Sequence, residues 1–123
     1  HGGSIIMTSS LSGYNANFIG GGPSPVCAYG TAKAGISEMA RYMAAGLAPY
    51  GIRVNTISPG YVWSGIHEGV MDKAGHDMCL EVVPIKRFGT PDELHGTLLF
   101  LASDASSYIT GINIPIDGGY SIY

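Results

Sequence analysis

The sequence predicts an α/β fold on three observations. Short apolar stretches alternate with longer helical ones, a helix runs into a strand through a short join, and glycines and prolines punctuate the joins. Gly2-Gly3-Ser4-Ile5-Ile6-Met7-Thr8-Ser9-Ser10 reads as glycines feeding a buried parallel strand that ends in hydroxyls. Residues from about Ala28 to Tyr50 read as a helix, on which Ala28, Ala32, Ile36, Ala40, Ala44 and Ala48 form a small-residue stripe that lets another helix approach closely. Ile52-Arg53-Val54-Asn55-Thr56-Ile57-Ser58 follows as a second strand, stopped by Pro59-Gly60. Residues 63–83 mix Trp63, Ile66, Val70, Met71, Met78 and Leu80 with polar residues, and Gly65, Gly69 and Gly75 weaken any helix there. Thr90-Pro91-Asp92-Glu93 opens a helix as a capping box, with Leu94, Leu98, Leu99, Phe100 and Leu101 on its buried side. The last strand runs Ile112–Asp117, and Pro115 places it towards a sheet edge.

Composition bounds the function. The 123 residues suffice for one domain, and 46% apolar with 12% charged residues leaves little charge for a solvated surface, so a partner is expected to cover part of it. A net charge of −3 with six Lys and Arg gives no basic stripe for nucleic acid and no polybasic membrane patch. No apolar run reaches the length of a membrane span, so a cytoplasmic protein is the default expectation. Cys27 and Cys79 lack metal or redox spacing and are expected to be packing residues with no disulfide, although modification of Cys27 would crowd Tyr29. His67, His76 and His95 lack metal-ligand spacing, so no metal site is expected. His67 and His76 lie in 63–83 and are minor candidates for substrate contact.

Tyr29 and Lys33 carry the most specific chemistry. Four residues apart on a helix, they share one face. A phenol normally loses its proton near pH ~10, and a neighbouring cation stabilises the phenolate, as an acid/base catalyst requires. Ser10, at the end of the first strand, would hold the carbonyl or alcohol oxygen that exchanges its proton with Tyr29.

These residues resemble the short-chain dehydrogenase/reductase family. The resemblance rests on Ile6–Gly13, Tyr29-Gly30-Thr31-Ala32-Lys33-Ala34-Gly35, Ile52–Gly60, Phe100-Leu101-Ala102-Ser103-Asp104, and Thr110-Gly111 leading to Asp117-Gly118-Gly119. It implies the C-terminal half of a doubly wound, parallel-sheet Rossmann-type fold over residues 1–123, with 63–83 as a substrate lid. It also implies NAD or NADP as cofactor, with Tyr29 as general acid/base, Lys33 on the nicotinamide ribose and beside the Tyr29 phenolate, and Ser10 orienting the substrate oxygen. Ser9 and Ser12 are close rivals for that role. Pro59 and Gly60 would lie against the nicotinamide, Val62 would offer backbone groups to its carboxamide, and Ser64 falls where the family usually has a threonine. A homodimer or homotetramer, through the small-residue helix and the C-terminal edge, is expected by the same resemblance.

Two departures qualify it. The segment Tyr14–Val26, with three glycines and two prolines, is longer than the family's common spacing and reads as a loop, either on the substrate side or as a surface insertion. The sequence opens at His1, in what would be mid-fold. It holds no Gly-x-Gly-x-x-Gly, and Gly20-Gly21-Gly22 lacks the flanking strand and helix of a phosphate cradle. The expectation is half of an oxidoreductase that alone binds cofactor poorly, as a fragment, an incomplete sequence or one chain of a split enzyme. Pro84-Ile85-Lys86-Arg87-Phe88-Gly89-Thr90-Pro91-Asp92-Glu93-Leu94-His95-Gly96 looks most like the sugar and polyol branch. A small-molecule secondary alcohol or ketone, led by sugars and polyols, is the expected substrate. An acyl-carrier or other carbonyl reductase, and a non-catalytic partner subunit, are the alternatives.

Overall fold

The computed structural model describes residues 2–16, 27–65, 69 and 71–122. Ile66, His67 and Val70 of the expected lid, and residues 17–26 of the expected loop, lie outside the described residues. Three parallel strands form one sheet in the order β1 (Gly3–Thr8), β2 (Ile52–Pro59), β3 (Asn113–Ile116). Gly3 lies opposite Ile52 and Thr8 opposite Ile57, while Thr56 lies opposite Asn113 and Pro59 opposite Ile116. The third strand is shorter than the sequence suggests, and it takes the edge position that Pro115 predicts.

β2 is the centre of the fold. Val54 through Ser58 are buried, as a parallel strand covered on both faces must be. Alternation then separates two layers. Val54 packs with Ile5, Met7 and Ile52 under Ala40 and Ala44 of α1 (Cys27–Leu47). On the opposite face, Ser4 and Arg53 reach α3 (Asp92–Ala102): the Ser4 hydroxyl donates to the Leu101 carbonyl at 2.7 Å, and Arg53 Nη2 donates to the Leu101 and Ser103 carbonyls at 2.9 and 3.1 Å. Arg53 thus satisfies carbonyls that a helix C-terminus leaves unpaired, and its charge suits that end of the helix dipole. One helix on each face is the doubly wound arrangement.

The alanine stripe of α1 is used differently from the sequence expectation. Ala40 and Ala44 are 1% and 4% exposed against the sheet, whereas Ala28 and Ala32 at the other end are exposed. Small residues here bring a helix close to strands. The helix also stops a turn early. Residues Ala48–Tyr50 tighten into a 3-10 turn at Pro49, and Gly51 closes it at φ 72°, with its N–H on the Ala48 carbonyl at 2.9 Å.

α2 (Lys73–Val82) forms within 63–83 despite Gly75, because the Asp72 side chain caps it by accepting from the Gly75 N–H at 2.8 Å. α3 begins one residue later than the capping box suggests, with Pro91 in the cap position. Glu93 still makes the box contact, accepting from the Thr90 N–H at 2.8 Å. It also takes both guanidinium nitrogens of Arg87 at 2.8 and 2.6 Å. Arg87 and the Thr90 N–H together hold the Glu93 carboxyl at about 2, below its ordinary 4.5. Its contribution to stability is therefore present above pH ~4.5 and lost as pH falls towards ~2. A Glu93→Gln variant is expected to unfold with a flatter acid limb in that window, measured as urea midpoint against pH. Wild-type steepness in the variant would contradict the assignment.

Candidate active site

All three strands end on one side of the sheet, and the residues singled out by sequence collect there. Ser9 and Ser10 follow β1, Pro59 ends β2 and Gly60 follows it, and Asp117 follows β3. Ligands of open parallel sheets bind outside this edge. Lys33 reaches it from the second turn of α1, where its Nζ donates to the Thr8 carbonyl at 3.0 Å and stands 5.6 Å from the centroid of the Tyr29 ring. The helix spacing therefore delivers what it promises, an ammonium beside a phenol. Tyr29 is 48% exposed, so its phenol is accessible.

The approach of α1 to the end of β1 depends on missing side chains. A Cβ on Gly13 would lie 2.9 Å from the Ala34 nitrogen, and one on Gly30 would lie 2.7 Å from the Ser12 carbonyl oxygen. Both glycines are needed for that close packing.

The three candidate serines separate by their bonds. Ser9 is 2% exposed, and its hydroxyl donates to the Lys33 carbonyl at 2.7 Å while accepting from Ser37 Oγ at 2.9 Å. Ser9 is a tie between strand and helix, with its one donor spent on the Lys33 carbonyl. Ser10 Oγ accepts from the Ser12 N–H at 3.2 Å and caps the 3-10 turn Leu11–Gly13, which uses a lone pair and keeps its O–H as a donor. Ser12 is half-buried, with its carbonyl under Gly30.

A second wall of the site is built at the end of β2. The Gly60 N–H donates to the Ile116 carbonyl at 3.0 Å, and a Cβ on Gly60 would lie 2.6 Å from the Asp117 Cα, so no other residue fits without moving β3. Val62 forms an isolated parallel bridge to Gly89, made by the Tyr61 carbonyl and the Trp63 N–H, each at 2.9 Å from Gly89 atoms. In such a bridge the central residue's own N–H and C=O face the other way. Val62 can therefore present a donor and an acceptor together, the pair a carboxamide needs. Ser64 lies two residues further, half-buried. With the Lys33 ammonium, which has two donors beyond the one on Thr8, this donor set fits the nicotinamide riboside end of a dinucleotide.

Several site residues were not singled out by sequence. Asp117 accepts from the Gly119 and Ser121 N–H groups, each at 3.0 Å, and from the Tyr14 hydroxyl at 3.3 Å. Burial pushes the Tyr14 phenol above its ordinary value, opposed by a bond to Ser121, and the Asp117 carboxylate pushes it up further. An aromatic cluster fastens α2 to the end of β2. His76 stacks on Phe88 at 5.0 Å, Trp63 meets both rings edge-on at 5.8 and 5.4 Å, and Tyr61 lies 6.0 Å from Phe88 and 5.6 Å from Tyr120. Alternation of Tyr61, Trp63 with one Val between was the available signal. His76 is a packing residue in this cluster, and His67 lies outside the described residues. Cys79 is buried, and burial raises its thiol; Cys27, expected to pack, is exposed at the first residue of α1. Among the described residues, no group of His, Cys, Asp and Glu is placed to hold a metal, and no helix is long and apolar enough to cross a membrane.

Comparison with known proteins agrees with this geometry. A family model described as enoyl-(acyl carrier protein) reductase matches residues 1–121. The chain is 44% identical over 126 residues to D-arabinitol 2-dehydrogenase (ribulose-forming) of Candida tropicalis, covering 98% of this chain and 43% of the relative. It is 38% identical over 117 residues to cyclohexanol dehydrogenase of a Rhodococcus species, covering 95% and 42%. Among solved structures, a short-chain type dehydrogenase/reductase from Mycobacterium marinum superposes with a TM-score of 0.89 at 43% identity, covering 99% of this chain and 46% of that one. A gluconate 5-dehydrogenase from Burkholderia cenocepacia, in complex with NADP and tartrate, gives 0.89 at 30% identity, covering 98% and 45%. The chain spans less than half the length of the curated relatives it matches, and over that span it belongs to the short-chain dehydrogenase/reductase family.

Proposed function

We propose that the native enzyme interconverts a secondary alcohol and a ketone with NAD or NADP, and that its substrate is a sugar or polyol. The observation that carries this reading is the Lys33 ammonium, held on the Thr8 carbonyl and 5.6 Å from the Tyr29 ring at the sheet's ligand edge. When bound, the nicotinamide supplies or accepts the hydride. Tyr29 donates its phenolic proton to the carbonyl oxygen during reduction and takes it back during oxidation. Ser10 donates a hydrogen bond to that same oxygen, fixing the carbonyl against Tyr29. Lys33 stabilises the phenolate by charge and holds ribose hydroxyls. Pro59 and Gly60 supply a flat wall, and Val62 and Ser64 orient the carboxamide. Residues 63–83, tied down through Trp63 and His76, act as the substrate lid.

The relatives support a polyol substrate through D-arabinitol 2-dehydrogenase. The match to the family model described as enoyl-(acyl carrier protein) reductase favours a second reading, an acyl-carrier or other carbonyl reductase on the same scaffold. Subunit pairing into a homodimer or homotetramer would cover Met39 and Tyr42 of α1, which are 47% and 75% exposed. A panel of ketoses, acyl-carrier β-keto thioesters and plain cyclic ketones, each with NADH and NADPH, tests the substrate reading. Higher kcat/KM for ketoses is expected, and preference for the thioesters would replace it with the second reading.

A further inference from the structure

A cavity of about 590 Å³ lies between the turn after β1, the end of α2 and the C-terminal turn, lined by Asn15, Ala16, Glu81, Pro84, Lys86 and Tyr120 among others. That volume is within the range of small-molecule sites. Two of its walls are continuous with the candidate active site. The Asn15 N–H donates to the Leu11 carbonyl at 2.9 Å, inside the turn that Ser10 caps. The Tyr120 ring meets Tyr61, one residue beyond Gly60, at 5.6 Å. Tyr14 joins the two walls through its hydroxyl on Asp117.

The lining mixes polar and apolar groups and is balanced in charge. It offers an amide, a phenol, one carboxylate and one ammonium, so it presents both donors and acceptors with no net charge. Such a lining suits hydroxyl groups and gives no advantage to an anion. Lys86 also has a left-handed backbone, φ 59°, where glycine or asparagine would sit with less strain. Its ammonium rests on the Glu81 carbonyl at 2.6 Å, in the last turn of α2, where a cation suits the helix dipole.

Resting on the sugar or polyol reading above, we propose that this pocket is a recognition subsite for the hydroxylated chain of an uncharged ketose or polyol. Glu81 accepts from its hydroxyls, and Lys86 and Tyr120 donate to them. The substrate's reacting carbon lies at Tyr29 and Ser10, and its distal hydroxyls lie here.

The test compares kcat/KM of the native enzyme on three carbonyl substrates: a ketose, a ketoaldonate of equal chain length, and cyclohexanone. Glu81→Gln is expected to lower the ketose to cyclohexanone ratio about tenfold, mainly through KM, and to shift preference towards the ketoaldonate. Lys86→Asn, which accepts the left-handed backbone, is expected to lower the same ratio and shift preference away from the ketoaldonate. Lys86→Arg is expected to keep the native preference. Unchanged ratios in both charge-removing variants, or equal losses on all three substrates, would overturn the subsite. A wild-type enzyme with no preference for ketose over cyclohexanone would overturn the substrate reading beneath it, and that result is visible before any variant is made.

Discussion

Replacing Tyr29 with Phe in the native enzyme is expected to lower kcat by roughly 10²–10⁴-fold, the usual contribution of a positioned general acid/base, with KM little changed. The ring is 48% exposed and its packing is retained in Phe, so the fold has little to lose. The phenolic proton is what disappears. Steady-state rates with a matched thermal melt separate the two effects, and an unchanged kcat would sink the assignment. The Lys33 ammonium at 5.6 Å from the ring is the reason for expecting so large a loss at this tyrosine and not at Tyr42, which shares the helix but is 75% exposed with no cation on its face among the described residues.

Asn55→Ala is expected to destabilise the protein by about 2–4 kcal/mol, from two buried backbone groups losing partners at ~1–3 kcal/mol each with partial relaxation. Asn55 is 0% exposed. Its Nδ2 donates to the Ile109 carbonyl at 3.0 Å, and its Oδ1 accepts from the Ile112 N–H at 3.1 Å. These bonds bind the loop before β3 to the centre of β2. Thr110 helps, its hydroxyl accepting from the Val54 N–H at 3.0 Å. A urea titration reads the loss as a lower midpoint at constant slope. A midpoint within error of wild type would contradict the role given to Asn55. Because β3 positions Asp117 and the wall against Gly60, loosening it is also expected to reach the sheet edge at Gly60.

Local patterns were legible in the sequence, and side-chain ties across the sheet were not. The apolar run Ile5-Ile6-Met7 ending in serines, and the helix carrying Tyr29 and Lys33, follow from periodicity and composition, and the structure puts both where parallel-sheet logic requires. Arg53 and Asn55 alternate with Val54, which signals two faces, but nothing local says that one polar residue caps a distant helix and the other holds a loop some 55 residues on. Ser9 and Ser10 are adjacent and chemically identical. Only the Lys33 carbonyl and Ser37, which engage Ser9, leave Ser10 as the serine with a donor to spare. The alanine stripe showed close approach without showing to what, since a small face suits a strand as well as a helix. Thr90-Pro91-Asp92-Glu93 gave the helix start nearly to the residue, yet Arg87 as the partner of Glu93 depends on how the chain enters that turn. Tyr14 and Asp117 are far apart in sequence, and their contact follows only from the sheet order.

Hydride exchange at a carbonyl carbon is the chemistry proposed for Tyr29, Lys33 and Ser10. Turnover of a ketose by the native enzyme with reduced nicotinamide cofactor deuterated at the transferring position tests it most directly, read by mass and NMR of the product. One deuterium on the new carbinol carbon is expected. Turnover to a product without deuterium on that carbon, or no consumption of either reduced cofactor by any carbonyl substrate, would contradict it.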